Sequence, residues 1–198
     1  MNAENIMKVF SDTAYIRVGG RPEEKKVAEY LRQQVVEFGL EAALEPFDVP
    51  LGDIEEATLL VDGVSIPCKG YMCAGSSTVE APFYYLRTSD AWSLRQCRGK
   101  IVLIDGYLGY WIYQDLLENG AVGFVTYDGH VNYADRDIDA RELRSYVSNG
   151  KIIPGVNINV KDAVSLIEKG VKSAKIVLKQ KEYICLLYTS PSPRDLST

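Results

Sequence analysis

Residues 99–128 constrain the fold more than any other stretch, because they hold a strand, a helix and a second strand with their boundary signals in place. Ile101, Val102, Leu103 and Ile104 form an unbroken apolar run after Gly99, the pattern of a strand covered on both faces. Across residues 110–118, Trp111, Ile112, Leu116 and Leu117 recur at helical spacing, and Asn119-Gly120 supplies a pair able to take a left-handed C-terminal turn. Residues 121–125 are a second apolar run. Two parallel strands joined through a helix cross over right-handedly and lie side by side, so this stretch alone predicts an α/β class.

The remaining segments add strands and helices around that unit. Residues 5–10 read as a short helix with Ile6, Val9 and Phe10 on one side. Pro22 suits a first helical position and Glu23 and Glu24 complement the positive helix start. Val27, Leu31, Val35 and Phe38 make the stripe of that helix, which Gly39 ends. Leu40, Ala42 and Leu44 alternate with Glu41 and Glu45, predicting a strand with one wet face. Asp62-Gly63 between the apolar runs 57–61 and 64–67 predicts a β-hairpin, residues 69–80 a Gly- and Ser-rich loop, and residues 81–86 a strand. Residues 131–146 form a polar connection with a helix over 140–146. Residues 156–160 predict a third buried strand, Asp162 the N-cap of a helix ending at Lys169-Gly170, and residues 174–180 a last strand.

Three pieces in order, Gly99-Lys100-Ile101-Val102-Leu103-Ile104, then Leu117-Glu118-Asn119-Gly120-Ala121-Val122-Gly123-Phe124-Val125, then Ile153-Pro154-Gly155-Val156-Asn157-Ile158, resemble the core of the protease-associated domain. That module is a non-catalytic insert in many zinc aminopeptidases of the leucyl aminopeptidase and aminopeptidase Y type. The block from Arg17-Val18-Gly19-Gly20-Arg21-Pro22-Glu23-Glu24 to Glu37-Phe38-Gly39-Leu40-Glu41 is similar to the opening of the catalytic domain in the same family. The resemblance implies an α/β architecture in two parts: residues 1–49 as a helix–strand fragment of a three-layer zinc exopeptidase domain, and residues 50–184 as a β-rich α/β protease-associated domain. Residues 185–198 are similar to the conceptual translation of a transposon-type sequencing adaptor, and the expectation is a non-native tail that stands in for a longer natural chain after Ile184. A natural disordered tail rich in Ser and Pro is the alternative.

By that resemblance the parent polypeptide hydrolyses N-terminal residues from peptides with two zinc ions, and the inserted module gates or shapes substrate access. The family's metal ligands follow the module and begin with a His-x-Asp element. The single histidine here, His130, cannot supply such a site, so no catalytic and no metal residue is carried over, and this chain by itself is expected to bind no zinc and to be inactive. The aromatic group Tyr107, Tyr110 and Trp111, with Tyr113, follows the first strand of the unit. Packing of helix on sheet accounts for such a cluster; as a functional alternative, Tyr107, Tyr110 and Trp111 form a substrate rim.

Composition excludes several other classes. With 22 basic residues scattered among 27 acidic ones and a formal charge of −5, no basic stripe for nucleic acid is present. No positive segment followed by an apolar run opens the chain, and no run approaches the ~20 residues needed to span a bilayer, so the expected location is the cytoplasm, with no membrane partner. Four cysteines without a secretion signal read as reduced thiols, and a Cys68/Cys73/His130 zinc site lacks a fourth donor and a tight ligand pair. Asp135, Asp137 and Asp139 alternate as in a calcium loop, but that geometry wants a glycine at position 140 and a glutamate at 146, where Ala140 and Tyr146 stand. With Arg136, Arg141 and Arg144 interleaved, a solvated loop of ion pairs is the plainer reading; calcium binding by some protease-associated domains keeps the other open. Gly106-x-x-Gly109 with Asp128 further on outlines a dinucleotide fingerprint whose second and third glycines are replaced by Leu108 and Trp111, which block backbone approach. A Rossmann-like nucleotide-binding protein and a non-enzymatic module that binds protein or peptide are therefore the two rival readings.

Overall fold

The computed structural model describes residues 3–129 and 137–189. The chain divides into two compact units, one of residues 1–51 with 183–198 and one of residues 52–182. In the first unit, α1 (Ala3–Thr13) buries no residue and α2 (Pro22–Glu37) buries only Val27. Pro22 stands in the first turn of α2 with Glu23 and Glu24, as the sequence predicts. The Tyr30 hydroxyl donates to Asp12 Oδ2 at 2.7 Å and ties the two helices together.

The other elements in chain order are β1 (Glu45–Val61), β2 (Val64–Ile66), β3 (Cys68–Met72), β4 (Ser77–Leu86), α3 (Ala91–Arg95), β5 (Ile101–Ile104), α4 (Tyr110–Glu118) and β6 (Gly123–Asp128). They are followed by β7 (Arg141–Glu142), α5 (Ser145–Ser148), β8 (Gly155–Asn159), α6 (Val160–Lys169) and β9 (Ser173–Thr189). The result is a mixed α/β architecture on a nine-stranded sheet ordered β2-β1-β9-β4-β5-β6-β8-β3-β7. β4, β5, β6 and β8 run parallel, with Val102 beside Phe124 and Phe124 beside Gly155. The hairpin through Asp62-Gly63 forms, with Val61 opposite Val64.

The core lies at the parallel strands. All four residues of β5 are buried, and α4 closes on them with Tyr113 and Leu116. Phe124 sits edge-on to Tyr71 at 4.9 Å and to Tyr113 at 5.8 Å. Such edge-to-face pairs add about 0.5–1.5 kcal/mol beyond the area they bury. The Tyr113 hydroxyl donates to Lys151 O at 3.0 Å and accepts from Ile153 N at 3.1 Å, which fixes the chain entering β8.

Five local expectations are corrected. Residues 40–44 form no strand; regular pairing starts at Glu45, and the Leu40 N–H instead donates to Val35 O at 3.3 Å where α2 ends, so alternation alone makes no ladder. Residues 69–80 are not one loop, since β3 and the start of β4 fall inside them. Gly70 stands there because a Cβ would overlap the Leu178 side chain, so its glycine marks close approach rather than a turn. The helix over 140–146 is instead β7 and then α5: Leu143 N donates to Met72 O at 2.8 Å, and pairing with β3 holds Arg141 and Glu142 extended. The N-cap of α6 is Asn159, whose Oδ1 accepts from Lys161 N at 2.8 Å, and Asp162 lies inside the first turn. The last strand runs on to Thr189, so residues 185–189 of the expected tail are extended β9.

Candidate functional site

In parallel α/β sheets, ligands collect at the carboxyl ends of the strands, where the chain leaves the sheet in loops. Here those ends are Asp105 after β5, Asp128 closing β6, and Asn157 and Asn159 in β8. Alternation along β6 puts Phe124, Thr126 and Asp128 on one face and Val125 and Tyr127 on the other. Asn157 is in register with Thr126, so the two polar side chains meet within the sheet.

On that face a directed chain of buried hydrogen bonds forms. Thr126 Oγ1 donates to Asn157 Oδ1 at 2.8 Å. Its single proton is thereby used, so the Tyr71 hydroxyl is the donor in the 2.8 Å contact to Thr126. The Asn157 amide donates to Asp128 Oδ2 and to Asp139 O. Asp128 also accepts from Asp139 N at 2.7 Å and from the Arg141 guanidinium. The Asp128 side chain is 1% exposed and that of Arg141 22%, so the pair joins the buried network to the surface. Burial alone raises the Asp128 pKa, but the hydrogen bonds from Arg141, the Asp139 N–H and Asn157 outweigh it and hold the carboxyl below its ordinary range.

Two cavities flank this network. One, of about 560 Å³, is lined by Tyr71, Met72, Tyr107, Arg141, Glu142 and Arg144 among others. The second, of about 540 Å³, lies over the opposite face, with Asp105, Tyr107, Tyr127 and Arg141 at its mouth and α6 along its floor. Tyr107 and Arg141 line both, with the guanidinium 5.9 Å from the ring centroid.

Of the aromatic group singled out in the sequence, Tyr107 reaches these cavities. Tyr110 and Trp111 pair edge-to-face at 5.1 Å on α4, and Trp111 is 79% exposed. Tyr113 belongs to the core. The sequence alone does not single out Tyr71, Thr126, Arg141 and Asn157 as candidate site residues. The available signal was the presence of Thr126 and Asn157 within otherwise apolar strand runs.

Other candidates find plainer roles. Among the described residues Cys68, Cys73, Cys97 and Cys185 form no disulfide with one another, and burial pushes the thiols of Cys73 and Cys97 up to about 11. Leu108 is packed in the core where a fingerprint glycine would stand. Asp137 lies 3.7 Å from Lys69, and Asp139 supplies its main chain to Asp128, while His130 and Asp135 lie outside the described residues. Among the described residues no group of three or more His, Cys, Asp or Glu is placed to hold a metal ion, so these donors do not fit a pair of zinc ions. No helix among them is long and apolar enough to cross a membrane.

No protein-family model matches the chain, and no curated protein sequence does. Solved structures do match. An aminopeptidase from Aneurinibacillus sp. strain AM-1 is similar over 100% of this chain and 50% of its own, with a TM-score of 0.71 at 19% identity. BSAP, a zinc aminopeptidase from Bacillus subtilis, is similar over 96% of this chain and 48% of its own, with a TM-score of 0.64 at 21% identity. A peptidase M28 precursor from Shewanella amazonensis SB2B covers 93% of this chain and 48% of its own, with a TM-score of 0.62 at 16% identity. The chain thus shares the fold of about half of each of these aminopeptidase and peptidase structures.

Proposed function

We propose that this chain is the front part of a zinc-dependent aminopeptidase that removes N-terminal residues from peptides in the cytoplasm. Residues 1–49 contribute a fragment of the exopeptidase domain, residues 50–184 a protease-associated domain that shapes substrate access, and residues 185–198 a non-native tail. What supports the reading is a fold likeness that runs through the whole chain yet spans only half of each aminopeptidase it resembles. In this reading the metal and its ligands belong to a longer polypeptide, and no chemical step is assigned to a residue here; among the described residues no group of three or more His, Cys, Asp or Glu is placed to hold a metal ion. Tyr107, Tyr110 and Trp111 take the role of rim residues, Tyr107 beside the Arg141 cleft and the other two on the exposed side of α4.

Reading the gene past the codon for Ile184 tests this. An open frame leading within tens of residues to a His-x-Asp element is the expected result. The encoded longer polypeptide then hydrolyses aminoacyl anilides, loses that activity to a chelator and regains it with zinc, while the 198-residue chain is inactive. Hydrolysis by the 198-residue chain alone overturns the proposal. Tyr110→Ala and Trp111→Ala in the longer enzyme raise the Michaelis constant for peptides; unchanged constants across substrates remove the rim role.

The second reading is a binding module without chemistry. It is favoured by the cleft of about 560 Å³ with its fixed Arg141, which residues 52–182 build entirely among themselves. A natural stop codon directly after Ile184 selects it.

A further inference from the structure

The cavity on the α6 side of the sheet is used by neither reading. Register and alternation place Tyr85 and Tyr127 on one sheet face, and both line the hollow together with Val160, Val164 and Ile167 of α6. An apolar lining from α6 therefore ends at a polar mouth, and a volume of about 540 Å³ lies within the ~300–1,000 Å³ common for small-ligand sites.

Among the described residues, the charged groups lining the hollow are Asp105, Asp128 and Arg141. Asp128 and Arg141 neutralise each other, so among these three Asp105 is the carboxylate left over. Among the described residues no Lys or Arg pairs with it; its hydrogen-bond partner is the Tyr127 hydroxyl, which donates to Oδ1. Burial, and then that bond, push the Tyr127 pKa up to about 12, so the phenol remains a donor and keeps the carboxylate oriented at neutral pH. The Tyr107 ring stands at the same mouth, where an aromatic face adds attraction for a cation.

We propose that this hollow binds a primary ammonium on an aliphatic stem, the chemistry shared by a lysine side chain and a free alkylamine, with the stem along α6 and the ammonium on Asp105. The site lies within residues 52–182 and involves no metal, so it goes beyond the aminopeptidase reading and its test fails or succeeds separately.

The test is titration of the 15N-labelled 198-residue chain, followed by amide shifts, with pentylamine, with 1-pentanol, and with a capped Ala-Lys-Ala peptide. Pentylamine is expected to shift Asp105, Tyr127 and the first turns of α6, and 1-pentanol to bind at least about five-fold more weakly, the share of one charged hydrogen bond at a partly open site. Asp105→Asn, on an exposed residue, keeps the shifts of β8 and weakens the amine by the same factor. Tighter binding of the lysine peptide identifies a protein side chain as the source, and tighter binding of pentylamine a free amine. Equal shifts with pentanol and pentylamine, or none up to the solubility of the probes, overturn the proposal without recourse to any variant.

Discussion

Asp128 sets the balance of charge at the strand ends, and its surroundings make two measurable demands. Removing the guanidinium leaves a buried carboxylate without its cation, so Arg141→Ala costs about 3–5 kcal/mol, seen as a lower urea midpoint at unchanged slope. The pH dependence follows from the sign of the shift. The Asp128 pKa in the folded protein lies below the ordinary 3.8, so on acidification the unfolded chain takes up the proton first. The stabilisation is complete above that value and fades as pH falls through the lower folded one. In Arg141→Ala burial meets less opposition and the folded pKa rises toward or past the unfolded one, so the acid-induced loss that Asp128 contributes shrinks or reverses while its onset stays at the unfolded value; profiles of identical shape would show that Arg141 does not set this titration. A second residue-level prediction concerns Gly155, where a Cβ would overlap the Phe124 ring held between Tyr71 and Tyr113. Gly155→Ala therefore costs about 1–3 kcal/mol by overpacking. Adding Phe124→Leu relieves the overlap, so the double-mutant cycle shows a coupling of about 1 kcal/mol or more, and additive losses would refute it. The polar residues of this site were visible in the sequence as interruptions of apolar runs. Their partners were not, because Tyr71 and Asn157 reach Thr126 across 55 and 31 residues and no periodicity links positions that far apart.

At the scale of elements, the α6 cap separates a local signal from its competitor. Asn159 Oδ1 takes the Lys161 N–H, so Asn159→Ala costs about 1 kcal/mol, whereas Asp162→Ala loses only the charge–dipole contribution of about 0.3–1 kcal/mol at most. Thermal unfolding of the two variants checks this, and a larger loss at Asp162 would contradict the observed helix start. The example shows where pattern reading works and where it stops. The strand, helix and strand of residues 101–128 were legible because each carries its own period, and β5 and α4 appear with the expected bounds. The cap was misplaced by three residues because Asn159 and Asp162 offer the same side-chain chemistry, and only the backbone leaving β8 decides between them. β3 was hidden for a different reason: Gly70 has the composition of a turn and the function of a contact with Leu178. β7 was hidden because its extended form comes from pairing with β3, not from its own residues.

The two units differ in how much of themselves they bury, and this sets the last prediction. In residues 52–182 the whole of β5 and most of β6 and β8 are shielded. In the other unit α1 buries nothing, and Ile6, Met7, Phe10, Phe38 and Leu40 are exposed, Phe10 to 66%. Helical patterning there was legible, including the Pro22 start and the Gly39 exit, yet a stripe in the sequence does not say what covers it. Local opening is governed by buried apolar contact, so the amides of α1 and α2 in the 198-residue chain exchange orders of magnitude faster than those of Ile101, Val102, Leu103 and Ile104. If the chain is the front of a longer aminopeptidase, the additional polypeptide covers the exposed face, and a patch of this kind is where such cover is expected. Hydrogen exchange on the longer polypeptide then shows α1 and α2 slowed toward the rate of β5, while β5 itself changes little. Should α1 and α2 in the 198-residue chain be protected as well as β5, those helices hold themselves closed and need no further polypeptide; should they stay fast in the longer one, the cover lies elsewhere.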